Sequence, residues 1–201
     1  MSGVRATVEL KCVLVGDHHV SKTHILTRFL SNVYPDFVPT VHEYSHESDV
    51  FTIDGVNVSM RFFDTAGDEV YDRLRPLCYP GTDVFMICFS VVNRQSLDAV
   101  ATKWIPEVKH HCPEVPFVLV GTMIDIREEG NKDHVSKKEG LESAQNLGAS
   151  AYLECSALTG EGVTETFKEA ACVVLSRRND NAIDISDHSD HEKEHNKCAI
   201  M

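Results

Sequence analysis

The sequence predicts an α/β fold: a mostly parallel sheet with helices on both faces. Three observations point there. Apolar runs of strand length recur along the chain, among them Val8 to Val15, Asp83 to Val91 and Pro116 to Val120. Segments with apolar residues at helical spacing separate them, and that alternation is what crossover-connected strands require. The first run passes straight into a glycine-led loop that closes on Ser21-Lys22-Thr23.

Each element follows in order. Val8 to Val15 reads as a buried strand entering the loop, and a short helix after Lys22 carries Ile25, Leu26 and Phe29. Residues 32–47, with Pro35 and Pro39, read as irregular. Phe51 to Ile53, the turn Asp54-Gly55, then Val56, Val58, Met60 and Phe62 form a hairpin. Its second strand alternates at period two and ends at Asp64. Asp83 to Val91 is a further buried strand. Leu97, Val100, Ala101, Trp104, Ile105 and Val108 fall at helical spacing. Pro116 to Val120 is a strand, 136–147 a helix, and Ala151 to Leu153 a brief strand. Val163, Phe167, Ala170, Ala171 and Val174 mark a last amphipathic helix.

At 201 residues with 42% apolar content, the chain is read as one domain, residues 1–178, and a tail, 179–201. The formal net charge of −12 disfavours a nucleic-acid partner, which selects for basic surface. No stretch is long and apolar enough to span a bilayer, and no signal peptide is expected. The cysteine count of seven is odd and no two form a C-x-x-C pair, which fits reduced thiols and disfavours a cysteine metal site.

Residues Gly16-Asp17-His18-His19-Val20-Ser21-Lys22-Thr23 nearly match the phosphate-binding pattern G-x-x-x-x-G-K-[ST], with Ser21 where glycine belongs. Such a loop converges backbone N–H groups on phosphate oxygens at a helix N-terminus. Lys22 would reach the terminal phosphates and Thr23 would hold magnesium. Alone, the segment also reads as an ordinary strand-to-helix turn. Asp64-Thr65-Ala66-Gly67 follows a strand, as a magnesium-side acid with a hinge glycine should. Thr122-Met123-Ile124-Asp125 follows another, and its carboxylate is placed to accept from guanine N1 and N2. Glu154-Cys155-Ser156-Ala157 would support the base edge. Each of these alone is also a common loop; their order and strand placement together carry the reading.

In that order and spacing the chain resembles the Ras superfamily of small GTPases, specifically its Rho/Rac branch. Tyr71-Asp72-Arg73-Leu74-Arg75-Pro76-Leu77-Cys78-Tyr79-Pro80, Trp104-Ile105-Pro106-Glu107, His110-His111-Cys112-Pro113 and Glu154-Cys155-Ser156-Ala157-Leu158-Thr159 all resemble that branch. The resemblance spans about residues 8 to 178 and the C-terminal box. It implies a three-layer sandwich with a mostly parallel six-stranded sheet of the P-loop small-GTPase type. It implies GTP or GDP with Mg2+ as cofactors. Nucleotide contacts carry over to Gly16, Asp17, His19, Val20, Ser21, Lys22, Thr23, Tyr34, Thr40, Gly67, Thr122, Asp125, Ser156 and Ala157. Magnesium carries over to Thr23, Thr40 and Asp64. Tyr34 stands where the family stacks an aromatic on guanine, and Thr40 is the first-switch threonine. Effectors and regulators would meet the switch regions Thr40–Tyr44 and Asp64–Pro76, which order around the γ-phosphate.

Four departures matter. His18 stands where the family has glycine, and an imidazole there would obstruct the γ-phosphate and an arginine finger. Asp68 replaces the glutamine that orients the attacking water, so it is read as a degenerate water-positioning site. A new base at either position is the competing idea, but a generic base does not replace positioned charge stabilisation. Ser21 puts a Cβ at a glycine-selected position, at about 1–3 kcal/mol if the conformation is kept. Met123 replaces a lysine that packs over the base, which should weaken binding and quicken exchange. His42 and Glu43 alter the effector edge, the following hairpin looks longer than usual, and the branch's insert helix has no room before Ser156.

Residues 179–197 hold six acids at 180, 184, 187, 190, 192 and 194 and two lysines, and read as a disordered tail. It ends in Cys198-Ala199-Ile200-Met201, a C-a-a-X box that a prenyltransferase would modify at Cys198, with farnesyl favoured over geranylgeranyl by the final methionine. One lipid on an acidic tail binds membranes weakly. The expected location is the cytoplasmic face of Golgi or endosomal membranes, with a cytosolic fraction, rather than the plasma membrane. His188, His191 and His195 are read as part of a solvated spacer, with a pH-dependent or metal-binding role as the alternative. The sequence thus predicts a prenylated, Rho-type GTP-binding protein with impaired hydrolysis, working in trafficking or actin organisation. A slow but competent GTPase and a weakly nucleotide-binding scaffold are the alternatives.

Overall fold

The computed structural model describes residues 7–35 and 44–195, with side chains for 7–35 and 46–180. Among these residues, seven strands and five α-helices follow in the order β1 (Thr7–Val15), α1 (Lys22–Ser31), β2 (Tyr44–Glu47), β3 (Phe51–Ile53), β4 (Val56–Asp64), β5 (Val84–Ser90), α2 (Arg94–Ala99), α3 (Ile105–His111), β6 (Phe117–Thr122), α4 (Lys137–Leu147), β7 (Ala151–Glu154) and α5 (Val163–His195). The sheet runs β2-β4-β1-β5-β6-β7, with β3 pairing β4 off this path. The pairs β1–β4, β1–β5, β5–β6 and β6–β7 are parallel. Only β2 and β3 meet β4 in the antiparallel sense.

The mostly parallel sheet is as expected, with β3 and β4 as the expected hairpin, and β2 is the strand added beyond the expected six. Part of the segment 32–47, read as irregular from its prolines, is instead strand β2. Both β2 and β3 lie on the same edge of β4. The register passes from Glu47 opposite Arg61 to Phe51 opposite Val58, so three residues, Ser48 to Val50, face two, Ser59 and Met60. This is a bulge. Ser48 fills it: its N–H donates to the Met60 carbonyl at 2.8 Å and its Oγ accepts from the Met60 N–H at 2.9 Å. The hairpin turn uses left-handed conformations at Asp54 (φ 46°) and Gly55 (φ 82°), the pair a two-residue turn of this hand needs.

Two apolar layers sandwich the sheet. On one side Leu10, Cys12, Met60 and Phe62 pack against Ile25 and Leu26 of α1 and Phe167, Ala170 and Val174 of α5. On the other, Val13, Phe85, Ile87 and Phe89 pack against Leu97, Val100, Trp104, Ile105, Val108 and Ala144. All seven residues of β5 are buried, as a strand covered on both faces must be.

The helical segment around Trp104 is not uniform. α2 and α3 are joined by a π-helical stretch, Val100–Trp104, in which the Ile105 N–H bonds the Val100 carbonyl. Pro106 explains this. It has no N–H for the carbonyl four residues back and its ring crowds that carbonyl, so the turn widens. α4 opens on a reciprocal capping box between Ser136 and Glu139 and closes on Gly148 at φ 76°. α5 carries no glycine or proline, and its backbone stays helical through His195, past the position where the sequence reading begins its irregular tail. Among the described residues, no helix is long and apolar enough to cross a membrane.

Candidate functional site

The loop between β1 and α1 is held from four directions. Gly16 takes φ 145°, and a Cβ there would stand 2.2 Å from the Cys88 carbonyl oxygen, so only glycine fits beneath β5. The Lys22 ammonium, 7% exposed, folds back over the loop and donates to the carbonyls of Gly16 at 2.8 Å and Asp17 at 2.7 Å. Burial lowers its pKa, and Asp64 is the chief opposing influence. The Asp17 carboxylate accepts from Trp104 Nε1 at 2.7 Å. From below, the Thr122 hydroxyl, fully buried, donates to the carbonyl of Val20 at 3.0 Å or of Phe89 at 2.9 Å. Thr122 therefore braces the loop rather than opening onto solvent.

His19 and Ser21 both sit in the left-handed region, at φ 60°. Ser21 keeps the conformation for which the pattern selects glycine, and its hydroxyl makes no cap on α1. A left-handed residue with a Cβ costs about 1–2 kcal/mol, so the loop's shape is retained under strain. Val20 is buried among the core residues.

Thr23 and Asp64 meet across the loop, the hydroxyl donating to Asp64 Oδ2 in a short hydrogen bond. Asp64 Oδ1 is buried without a hydrogen-bond partner. Burial raises the Asp64 pKa, against the Thr23 hydrogen bond and the Lys22 charge. A hydroxyl oxygen beside a carboxylate with one oxygen unspoken for is a hard, all-oxygen donor set of the kind Mg2+ takes. These residues fit that ion, and Thr23 and Asp64 would hold it. Thr40, the third magnesium residue from the sequence, lies outside the described residues.

The segment after Asp64 is packed directly on the loop. A Cβ on Gly67 would stand 2.4 Å from Asp17 C and His18 N and 2.5 Å from the Gly16 oxygen. His18 Nδ1 lies 3.4 Å from Asp68 Oδ2, so the two departures are in contact. Beyond them Arg75, 1% exposed, is the peg of the segment that follows Gly67. It donates to the carbonyls of Ala66 (2.8 Å) and Asp68 (3.1 Å), pairs with Glu107 and Asp72, and lies 4.6 Å from the Trp104 ring. Val70, Leu74 and Leu77 are exposed on the same segment, at 79%, 53% and 73%.

At the other end of the loop, Tyr34 stacks on His24 with ring centroids 5.3 Å apart. Asp125 is exposed on a 3-10 turn, Ile124–Ile126, that starts from Met123 at φ 63°. The Met123 sulfur lies 3.3 Å from the Ser90 hydroxyl. Ser156 is buried, its Oγ accepting from the Thr159 N–H at 3.1 Å, and Ala157 is buried beside it. Arg127 and Glu154 join the two turns in an ion pair.

Lys22, Thr23, Asp64 and Gly67 thus gather at the loop, Asp125 and Ser156 lie on two neighbouring turns joined by Arg127 and Glu154, and Tyr34 stacks on His24. Cys198, like Thr40, lies outside the described residues. Sequence reading did not find the bracing of the loop by Trp104, the Arg75 peg or the Arg127–Glu154 pair. Arg75, Trp104 and Glu154 carried a sequence hint, as polar-tipped residues within recognisable motifs; Arg127 did not. The buried thiols are inert: burial pushes Cys155 up to about 12 and Cys12 and Cys88 well above their usual range. The model of the Ras family matches residues 11–176, which include the loop, the second switch and both base-side turns.

Proposed function

Because the chain belongs to the Ras family, we propose that it is a Rho-type, prenylated GTP-binding protein that holds GTP with Mg2+ and hydrolyses it poorly. Membership itself carries guanine-nucleotide and magnesium binding, and contact with effectors and regulators through switch regions. The Rho assignment rests on the wording of Tyr71–Pro80 and Trp104–Glu107 in the sequence. Modification at Cys198, and work at Golgi or endosomal membranes in trafficking or actin organisation, rest on the tail sequence and on analogy with the branch.

The observation that carries impaired hydrolysis is the 3.4 Å approach of His18 to Asp68. An imidazole and a carboxylate engaged with one another fill the space where the branch leaves a glycine and a water-orienting amide. The Asp68 side chain offers carboxylate oxygens there in place of an amide N–H, so it has nothing to donate to the attacking water's site or to a terminal phosphate. Lys22, Thr23 and Asp64 remain in place for binding, so binding and turnover part company. Gentle purification followed by chromatography of the bound nucleotide, then single-turnover conversion of loaded GTP, tests this. Retained, uncleaved GTP is the expected result, and prompt conversion to GDP overturns it.

A second reading, a scaffold that binds nucleotide weakly, is favoured by the left-handed His19 and Ser21. In the same preparation it predicts an empty site that GTP and Mg2+ do not fill.

A further inference from the structure

We infer that the Arg127–Glu154 ion pair positions Asp125 and thereby sets the selectivity of the base site for guanine. The inference rests on the guanine-nucleotide reading given above and names the residues, outside the nucleotide contacts, on which discrimination depends.

Asp125 has no support of its own. Its side chain is exposed and makes no hydrogen bond among the described residues. The turn that bears it is a single 3-10 turn launched from a left-handed methionine. Methionine is flexible and uncharged; Met123 closes the turn only through its carbonyl, on the Ile126 N–H at 3.3 Å, and a sulfur contact to Ser90, and offers no charge that would orient Asp125. Something else must hold the carboxylate in register with the Ser156 loop.

The Cys155 N–H bonds the Gly121 carbonyl at 2.8 Å at the end of β6, but the backbone link at the Asp125 turn itself is weak. The Ile124 N–H reaches the Cys155 carbonyl only at 3.5 Å, beyond the ordinary range. The Ser156 loop is closed on itself, through Ser156 N–H to Glu161 O at 2.9 Å and Gly160 N–H to Ser156 O at 2.9 Å. Arg127 immediately follows the Asp125 turn and crosses to Glu154 at the end of β7. Nη1 donates to Oε2 at 3.1 Å, and Nη2 donates to Oε1 in a shorter bond. The side chains are 19% and 7% exposed. A two-pronged pair fixes angle as well as distance.

Glu154 is itself held. Tyr152 donates to its Oε1 at 2.7 Å, and the Tyr152 hydroxyl presses on α4, where a Cβ on Gly140 would stand 2.0 Å away. Rigid elements therefore anchor one end of the bridge, and the Asp125 turn hangs from the other. Arg127 Nε is buried without a hydrogen-bond partner. That is a cost a purely stabilising pair would avoid, and it fits a side chain held taut by position.

Guanine offers N1–H and a 2-amino group to a carboxylate. Hypoxanthine keeps only the N1–H. A well-placed Asp125 therefore separates GDP from inosine diphosphate, and a loose one does not. The test measures both affinities, by displacement of fluorescent GDP from the full chain, for the wild type, Arg127→Met and Glu154→Gln. Melting temperatures are taken in parallel. The expected result is a fall in GDP affinity of about tenfold, the size found when a group that orients a binding residue from behind is lost. Inosine diphosphate affinity should change little, so the ratio collapses in both variants. A merely structural pair would lower the melting temperature and leave the ratio at its wild-type value, which overturns the inference. If Arg127→Met does not fold, Arg127→Lys keeps the charge, loses the fork and should give an intermediate ratio; a wild-type ratio there overturns the inference equally. A wild-type protein that binds neither nucleotide overturns the underlying reading instead.

Discussion

Trp104 Nε1 donates to Asp17 Oδ1 at 2.7 Å, tying the π-helical turn to the phosphate loop across 87 residues of chain. The same indole covers Arg75, the peg of the second switch. The loop and the segment after Asp64 thus share one buried anchor.

Trp104→Phe removes the donor, keeps most of the ring and leaves a small void. A buried hydrogen bond to a charged acceptor contributes about 1.5–3 kcal/mol, so stability should fall by about 2 kcal/mol in urea unfolding. Asp17→Asn keeps an acceptor and should lose much less. Equal losses would mean that the indole acts by packing alone.

His18→Gly with Asp68→Gln should restore single-turnover GTP cleavage. One positioned transition-state donor is worth about a hundredfold or more in rate, and each single change should recover less than the pair. An unchanged rate in the double variant would place the defect elsewhere in the loop.

Ser21→Gly removes a left-handed Cβ that costs about 1–2 kcal/mol, against about 0.4–1 kcal/mol of added unfolded-chain freedom. Because Ser21 already holds φ 60° in the folded loop, the gain belongs to stability. The melt should rise by the equivalent of about 0.5–1 kcal/mol. A lower melt would show that the serine hydroxyl matters more than the strain.

Ser136→Ala breaks the capping box of α4 and should cost about 1 kcal/mol at neutral pH. The effect is pH-dependent. Backbone and side-chain hydrogen bonds from Ser136 hold the Glu139 carboxyl below its usual value. A lowered folded pKa means stability present above the unfolded value and lost as pH falls through the folded one. The gap between wild type and variant, followed by thermal melts, should narrow as pH drops below about 4.5.

Much of the fold was legible because β5 and β6 are buried on both faces and so carry apolar runs, as does the second half of β1, Cys12 to Val15. The hairpin was legible from Asp54-Gly55, which demands one kind of turn. Strand β2 was not, because Tyr-Ser-His-Glu at an edge has no apolar pattern and sits behind two prolines. The π turn was missed because Pro106 leaves the helical spacing of Leu97 to Val108 intact while widening the backbone beneath it. In the site, Lys22, Thr23, Asp64 and Asp125 stand out by motif. Glu154 lies in a motif too, but its pairing with Arg127 was not legible, since what joins them is the neighbouring of β6 and β7, a tertiary fact. Thr122 stood out by motif as well, and its hydroxyl bonds to the Val20 and Phe89 carbonyls were not legible.

The chain contains a single tryptophan, and it is Trp104. Buried and bonded to the loop, it is an optical probe already installed at the heart of the molecule. Its emission should be blue in the folded protein and move to the red whenever Asp17 withdraws. Loop opening can therefore be timed in stopped flow without labelled nucleotide, including in preparations where nothing is bound.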